Sequence, residues 1–144
     1  SDSAEALALL NTHQIPVFIV TNQSGIARGY FNETDMHKFN QHLIEQVSLK
    51  GGRITDIAFC PHHPDYPEKD ASTHCDCRKP SPGMLISGIK EFNLNRKECY
   101  VVGDRITDII AGDSALIKNL YLLEKSYSYN CYSKNQLPFF KIIN

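Results

Sequence analysis

The chain has 144 residues and a mass of 16.3 kDa, with 42% hydrophobic and 22% charged residues. This balance is typical of one globular domain and excludes disordered and collagen-like chains. Fifteen basic and sixteen acidic residues give a net charge of -1, and no apolar run is long enough to span a bilayer. We therefore expect a cytoplasmic protein that binds neither nucleic acid nor a membrane, and we also expect it to be a monomer.

The first part of the chain alternates helix-like and strand-like segments. Residues 4–13 have helical periodicity, and the continuous apolar run over 15–20 is typical of a strand covered on both faces. A polar loop ends near Gly29, and a long helix then runs to the paired glycines at 51–52. We expect its apolar stripe to face the core, and a strand over 54–59 follows. The stripe consists of Met36, Phe39, Leu43, Ile44 and Val47.

Residues 60–82 have no periodicity and contain five prolines, so this segment is too long for an ordinary connection and is predicted to be a loop ordered by a ligand. A surface-lying or poorly ordered tail is predicted from residue 126 onward. The alternation of strands and helices predicts an α/β fold with a Rossmann-like parallel sheet and helices on both faces. The remaining predicted elements are a helix over 83–92, a strand over 99–102, a helix over 106–116 and a strand over 120–123.

Two pairs of potential metal ligands lie within the long loop. Each pair skips one residue, which lets two side chains of a tight turn converge, and thiolates with imidazole are the ligands of tetrahedral structural zinc. We predict that Cys60, His62, Cys75 and Cys77 bind zinc, with His63 as the main competitor for the histidine position. The alternative is a set of unrelated thiols and surface histidines.

Two polar groups have the composition of a phosphate site. Residues 21–25 follow a predicted strand and offer hydroxyls, amides and a glycine turn whose N–H groups suit phosphate, although ordinary turns share this composition. Arg78 and Lys79 come directly after the predicted zinc loop, and they suit phosphate as a guanidinium and an ammonium. Their alternative interpretation is a solvated basic pair.

Two acids follow the strand predicted over 99–102. Asp104 and Asp108 are one helical turn apart, and paired carboxylates of this kind are suited to magnesium. Asp108 has a second interpretation, because an acid in the first turn of a helix is favoured by the helix dipole.

The order of these motifs resembles that of a known family. The segments concerned are TNQSGIARGYF at 21–31, CPHHP at 60–64, CDCRKPSPGML at 75–85 and VGD at 102–104. They are similar to haloacid-dehalogenase (HAD) superfamily phosphatases of the D-glycero-D-manno-heptose 1,7-bisphosphate 7-phosphatase type. The zinc loop leading into Arg-Lys-Pro is the most specific part, and histidinol-phosphate phosphatases have a similar loop.

The resemblance implies a role for each candidate residue. Thr21 would stabilise the transferring phosphoryl group, Lys79 would neutralise the phosphate and Asp104 would bind magnesium. The family's four zinc ligands match those predicted above from spacing. The residues implied in substrate binding are Asn22, Gln23, Ser24, Arg78 and Arg105, the last at a position where such enzymes often have Lys.

The implied activity is magnesium-dependent removal of the 7-phosphate from a phosphorylated sugar used in lipopolysaccharide biosynthesis. Alternatives are histidinol-phosphate hydrolysis and a non-catalytic, zinc-stabilised sugar-phosphate-binding relative. Such phosphatases begin with a strand ending in Asp-x-Asp, which supplies the nucleophile and the general acid. This sequence contains no Asp-x-Asp, so we expect that strand upstream. The expected domain is an N-terminally incomplete phosphatase over 1–125, including a zinc loop over 60–77, with a tail over 126–144.

Overall fold

The computed structural model describes residues 2–66, 75–123 and 137–143. The chain divides into two compact units, residues 1–74 and residues 75–144. The α/β class with parallel sheets is confirmed in both units. None of the helices in these ranges has the length and apolar character needed to cross a bilayer.

The first unit contains a two-stranded parallel sheet, with β1 paired to β2 from Phe18 opposite Asp56 to Asn22 opposite Cys60. Because the strands are parallel and in this register, both end at the same edge of the sheet. The short helix α2 was not predicted, since a single turn containing glycine has no helical periodicity. The elements in order are α1 (Asp2–Thr12), β1 (Phe18–Asn22), α2 (Ser24–Ala27), α3 (Glu33–Ser48) and β2 (Asp56–Cys60).

The predicted inward stripe of α3 is only partly correct. Met36 and Val47 are buried, but Phe39 is 62% exposed and Ile44 is 37% exposed. Helical geometry explains the difference: the least exposed positions are 36, 40, 43 and 47, spaced four, three and four residues apart. Phe39 and Ile44 are each one residue away from that stripe and so lie on its flanks.

The second unit contains a three-stranded parallel sheet in the order β3-β4-β5. The strand β5 was not predicted, because three residues are too few to show a period. Residues 126–136 of the predicted tail lie outside the described residues. The elements in order are α4 (Gly83–Glu91), β3 (Tyr100–Gly103), α5 (Ile106–Ser114), β4 (Asn119–Leu123) and β5 (Lys141–Ile143).

One face of the second sheet forms a hydrophobic core with α4 and α5. The core residues are Ile89, Val101, Ile109, Ala115, Ile117, Leu120 and Leu122, and Phe140 packs against them. On the opposite face of β3, Tyr100 is 65% exposed and Val102 is 59% exposed in the described structure. The described helices of this unit therefore cover mainly one face of its sheet.

The close approach of α5 to the sheet depends on Gly112. A Cβ at this position would lie 2.6 Å from a Leu120 methyl carbon and 3.0 Å from a Val101 methyl carbon. We expect Gly112→Ala to reduce the free energy of unfolding by about 1–3 kcal/mol, because the added methyl overpacks the core. Urea denaturation of the variant and of the wild type measures the difference.

Gly88→Ala is the matched control. Gly88 lies within α4, and a Cβ there would meet nothing within 4 Å. This substitution should raise the free energy of unfolding by about 0.5–1 kcal/mol, since alanine favours the helix. Equal effects of the two substitutions would contradict the packing argument.

Candidate functional site

The predicted polar group after β1 lies at the end of that strand. Thr21 and Asn22 are the last residues of β1, Ser24 begins α2, and all three side chains are half-buried. The backbone N–H of Gln23 donates to the Cys60 carbonyl at 2.7 Å, which extends the contact with β2 by one residue. The residues predicted to contact phosphate therefore lie at the end of the paired strand β1 and directly after it.

Glycines hold the loop after β1 in a closed turn. The Phe31 ring lies where a Cβ of Gly25 would be, so this close approach requires glycine. The Tyr30 N–H donates to the Gly25 carbonyl at 2.9 Å, and Gly29 has a φ of 71°, which favours glycine. These contacts fix the loop that begins with the predicted phosphate-binding residues.

The four predicted zinc ligands come together. Their ligand atoms all lie within 4.8 Å of one another, and Cys60, at the end of β2, is fully buried. The Cys60 Sγ is 3.6 Å from His62 Nδ1. Three thiolates and one imidazole are the donor set of a closed structural zinc site, so the cluster is compatible with zinc. The four residues are Cys60, His62, Cys75 and Cys77.

Two other potential metal ligands, His63 and Cys99, lie outside this set. His63, the predicted competitor, instead faces Arg28, with its Nε2 3.1 Å from Arg28 Nη2. The Cys99 thiol donates to the Asn95 carbonyl at 3.2 Å, and burial, followed by the charge of Glu98, raises its pKa. Because thiolates are the form that binds metal, Cys99 is a poor ligand.

Lys79 is held by Asp108 in the second unit. The Lys79 Nζ is 2.6 Å from Asp108 Oδ1, and the two side chains are only 13% and 11% exposed. The other oxygen of Asp108 accepts a hydrogen bond from the Arg105 backbone N–H at 3.0 Å. Asp108 therefore lies in the first turn of α5, as one of its two interpretations proposed, and it also binds Lys79.

The Lys79–Asp108 pair was not predicted. The acid at the start of α5 was the available signal, but nothing in the sequence identified its partner. A Cβ at Gly103 would overlap the Asp108 side chain, so glycine at the end of β3 makes room for this carboxylate. A second close approach, of Gly83 to the Asp76 carbonyl with a hydrogen bond of 2.8 Å, closes the turn that carries Lys79.

The remaining predicted residues lie next to these contacts. Asp104 and Arg105 connect β3 to α5 and are exposed, and Arg78 is half-buried beside Lys79. Asp104 follows the carboxyl end of β3, and its carboxylate has the hard oxygen donors that magnesium prefers.

A HAD-hydrolase-like family model matches residues 76–125. A D-glycero-β-D-manno-heptose-1,7-bisphosphate 7-phosphatase from Pasteurella multocida is 40% identical over 85% of this chain and 66% of its own length. Two from Photorhabdus laumondii subsp. laumondii are also similar. One, named for the α anomer, is 39% identical over 77% of this chain and 61% of its own length. The other, named for the β anomer, is 34% identical over 88% of this chain and 67% of its own length.

Among solved structures, a D,D-heptose 1,7-bisphosphate phosphatase from B. bronchiseptica complexed with magnesium and phosphate is similar to this chain. It has a TM-score of 0.82 and 27% identity, covering 98% of this chain and 75% of its own. The chain thus spans 61 to 67% of the length of the three relatives above.

Removing the Asp108 carboxylate should take this ion pair from the nearly buried Lys79 ammonium. We expect Asp108→Ala to reduce the free energy of unfolding by about 3–5 kcal/mol, measured by urea denaturation. The control is Asp113→Ala, which breaks a Lys118 pair of 2.8 Å whose side chains are 73% and 40% exposed. This exposed pair should contribute no more than about 1 kcal/mol. Similar losses in the two variants would show that the Lys79 pair is not a buried contact.

Purified protein should contain about one zinc ion per chain, because four ligands complete a tetrahedral site. Cys75→Ser removes one thiolate and should bring the zinc content close to zero, as measured by atomic emission on the dialysed protein. Cys99→Ser, which alters a thiol outside the cluster, should retain the metal. Retention of zinc by Cys75→Ser, or its loss from Cys99→Ser, would contradict the assigned ligand set.

Proposed function

The chain belongs to the D-glycero-D-manno-heptose-1,7-bisphosphate 7-phosphatase family of HAD-like hydrolases, and from this membership we propose that the full-length protein is a magnesium-dependent phosphatase. Its substrate in this proposal is D-glycero-D-manno-heptose 1,7-bisphosphate, from which it removes the 7-phosphate. The observation that carries the proposal is the zinc-compatible cluster that runs directly into Arg78 and Lys79.

Charge neutralisation is the proposed task of Lys79 and Thr21. A phosphoryl group in transfer carries negative charge on its peripheral oxygens, and fixed donors that face this charge lower the barrier. Asp108 orients the Lys79 ammonium, whose Nζ lies 2.6 Å from Asp108 Oδ1. The proposed substrate-binding residues are Asn22, Gln23, Ser24, Arg78 and Arg105.

Asp104 would hold magnesium, and its carboxylate at the end of β3 fits that ion. When bound, magnesium contributes positive charge that stabilises the phosphate oxygens. The attacking carboxylate in this proposal is the upstream Asp expected from the family resemblance. Zinc has a structural role: the four-ligand cluster would fix the loop from which Arg78 and Lys79 emerge.

The proposal also covers the location of the protein, its oligomeric state and the extent of its domain. A cytoplasmic location agrees with the three thiols of the cluster, because reducing compartments keep such thiols available for metal. A monomeric state and a phosphatase domain over residues 1–125 are also part of this proposal. The strand β5 adds residues 141–143 to the sheet of the second unit, so this part of the tail is included in the fold.

Phosphate release by the full-length protein tests the proposed activity. We expect kcat/KM for the heptose bisphosphate to exceed that for histidinol phosphate by at least about tenfold, a difference of about 1.4 kcal/mol. Both anomers of the sugar should be assayed, and EDTA should abolish turnover until magnesium is restored.

Two results would contradict the proposed activity. Faster release from histidinol phosphate would indicate the related hydrolase. Thermal stabilisation by the heptose bisphosphate without phosphate release would indicate a sugar-phosphate-binding protein.

A further inference from the structure

A cluster that contains an arginine lies after the ends of β1 and β2 in the first unit. We define the Arg28 cluster as Arg28, His63, Asp65 and Tyr66. Arg28 follows α2, which begins directly after β1, and the other three residues follow β2. Because β1 and β2 are parallel, both segments leave the sheet at the edge where Thr21 lies. Neither Arg28 nor His63 has a role in the proposed activity so far.

Two aromatic rings contact the Arg28 guanidinium. Its carbon lies 5.3 Å from the centre of the Tyr66 ring, and its Nη2 is 3.1 Å from His63 Nε2. The His63 and Tyr66 rings also contact each other edge to face, with centres 5.5 Å apart. Within residues 2–66 and the other described ranges, no carboxylate oxygen lies within 4.0 Å of Arg28. Among the described residues, the exposed guanidinium is therefore positioned by two rings and by no carboxylate.

The hydrogen-bond donors in this cluster exceed the acceptors that His63 provides. The Asp65 backbone N–H points at His63 Nδ1 at 3.2 Å, and the Arg28 guanidinium points at Nε2. A neutral imidazole accepts at only one of its two nitrogens, and a guanidinium accepts at none. One of these donors consequently lacks an acceptor on His63, and the Asp65 carboxylate lies on the Nδ1 side of the ring, 3.7 Å from that nitrogen. An anionic oxygen beside Arg28 would supply that acceptor, and two such oxygens would suit the planar guanidinium.

We propose that the Arg28 cluster binds the phosphate of a sugar bisphosphate that is not hydrolysed. This inference rests on the proposed function, in which the reacting phosphate contacts Thr21. Thr21 is half-buried at the strand end, whereas Arg28 is exposed. In this proposal the substrate extends outward from Thr21 and presents its far end to Arg28. The cluster thereby selects an anionic far end. It disfavours the ammonium of histidinol phosphate, which the positive guanidinium repels.

The ratio of kcat/KM for heptose 1,7-bisphosphate to that for heptose 7-phosphate isolates the contribution of the second phosphate. In the full-length protein, Arg28→Ala should lower this ratio about 10- to 100-fold, since charge-assisted hydrogen bonds are lost. The matched control is Arg53→Ala, which removes an exposed arginine just before β2, at the other end of that strand. Arg53→Ala should leave the ratio unchanged.

His63 acts in this proposal as a positioning residue for Arg28. His63→Ala should therefore lower the ratio, and His63→Gln should restore most of it, because the glutamine oxygen accepts from the guanidinium. The zinc content of each variant is measured alongside, because His63 is adjacent to a predicted ligand. With zinc retained, equal ratios in the Ala and Gln variants would contradict the positioning role.

Two outcomes separate this inference from the proposed function. If Arg28→Ala slows both sugars equally, the cluster does not bind the second phosphate, while the phosphatase activity stands. If the wild type releases phosphate from neither sugar, the proposed function fails. Calorimetric titration of the bisphosphate into the wild type, Arg28→Ala and Arg53→Ala then tests the cluster directly. Weaker binding by Arg28→Ala alone supports it, and equal affinities overturn it.

Discussion

The parallel register of β1 and β2 is the constraint on which the candidate site of the first unit depends. Asn22 lies opposite Cys60, so the polar turn after one strand and the metal-ligand segment after the other begin at the same level. The hydrogen bond from Gln23 to the Cys60 carbonyl continues this register beyond the strands. A shift of one residue would turn each side chain to the opposite face and separate both segments from their partners. Thr21, His62 and the Arg28 cluster all owe their positions to this pairing.

In the second unit, the positions of the candidate site residues depend on the space that two glycines leave. Gly103 makes room for the Asp108 carboxylate, and Gly83 lies against the Asp76 carbonyl at the end of the turn that carries Lys79. These close approaches let one carboxylate bind both a backbone N–H and a nearly buried ammonium. A polar network with its acceptors engaged is rigid. In the proposed role of Lys79, this rigidity would reduce the reorganisation needed when a phosphate binds.

Much of this arrangement could be predicted from the sequence because it depends on local patterns. The zinc-compatible ligands followed from residue type and spacing, and most helices and strands followed from periodicity. The features that were missed depend on contacts between distant residues. Examples are the Lys79–Asp108 pair and the packing of β5 on β4, to which a three-residue run gives no clue. The exposure of Phe39 also required the structure, since periodicity alone does not separate an apolar residue inside the buried stripe of a helix from one on its flank.

The convergence of two ligand pairs also has an evolutionary consequence. Twelve residues separate His62 from Cys75, and a bound metal would fix both ends of this segment. The entropy lost on closing a loop grows only with the logarithm of its length, so lengthening the segment by several residues adds well under about 1 kcal/mol. Descendants of this sequence can therefore gain or lose residues between the ligand pairs at little thermodynamic cost. Selection on substrate preference has room to act there while the ligands stay unchanged.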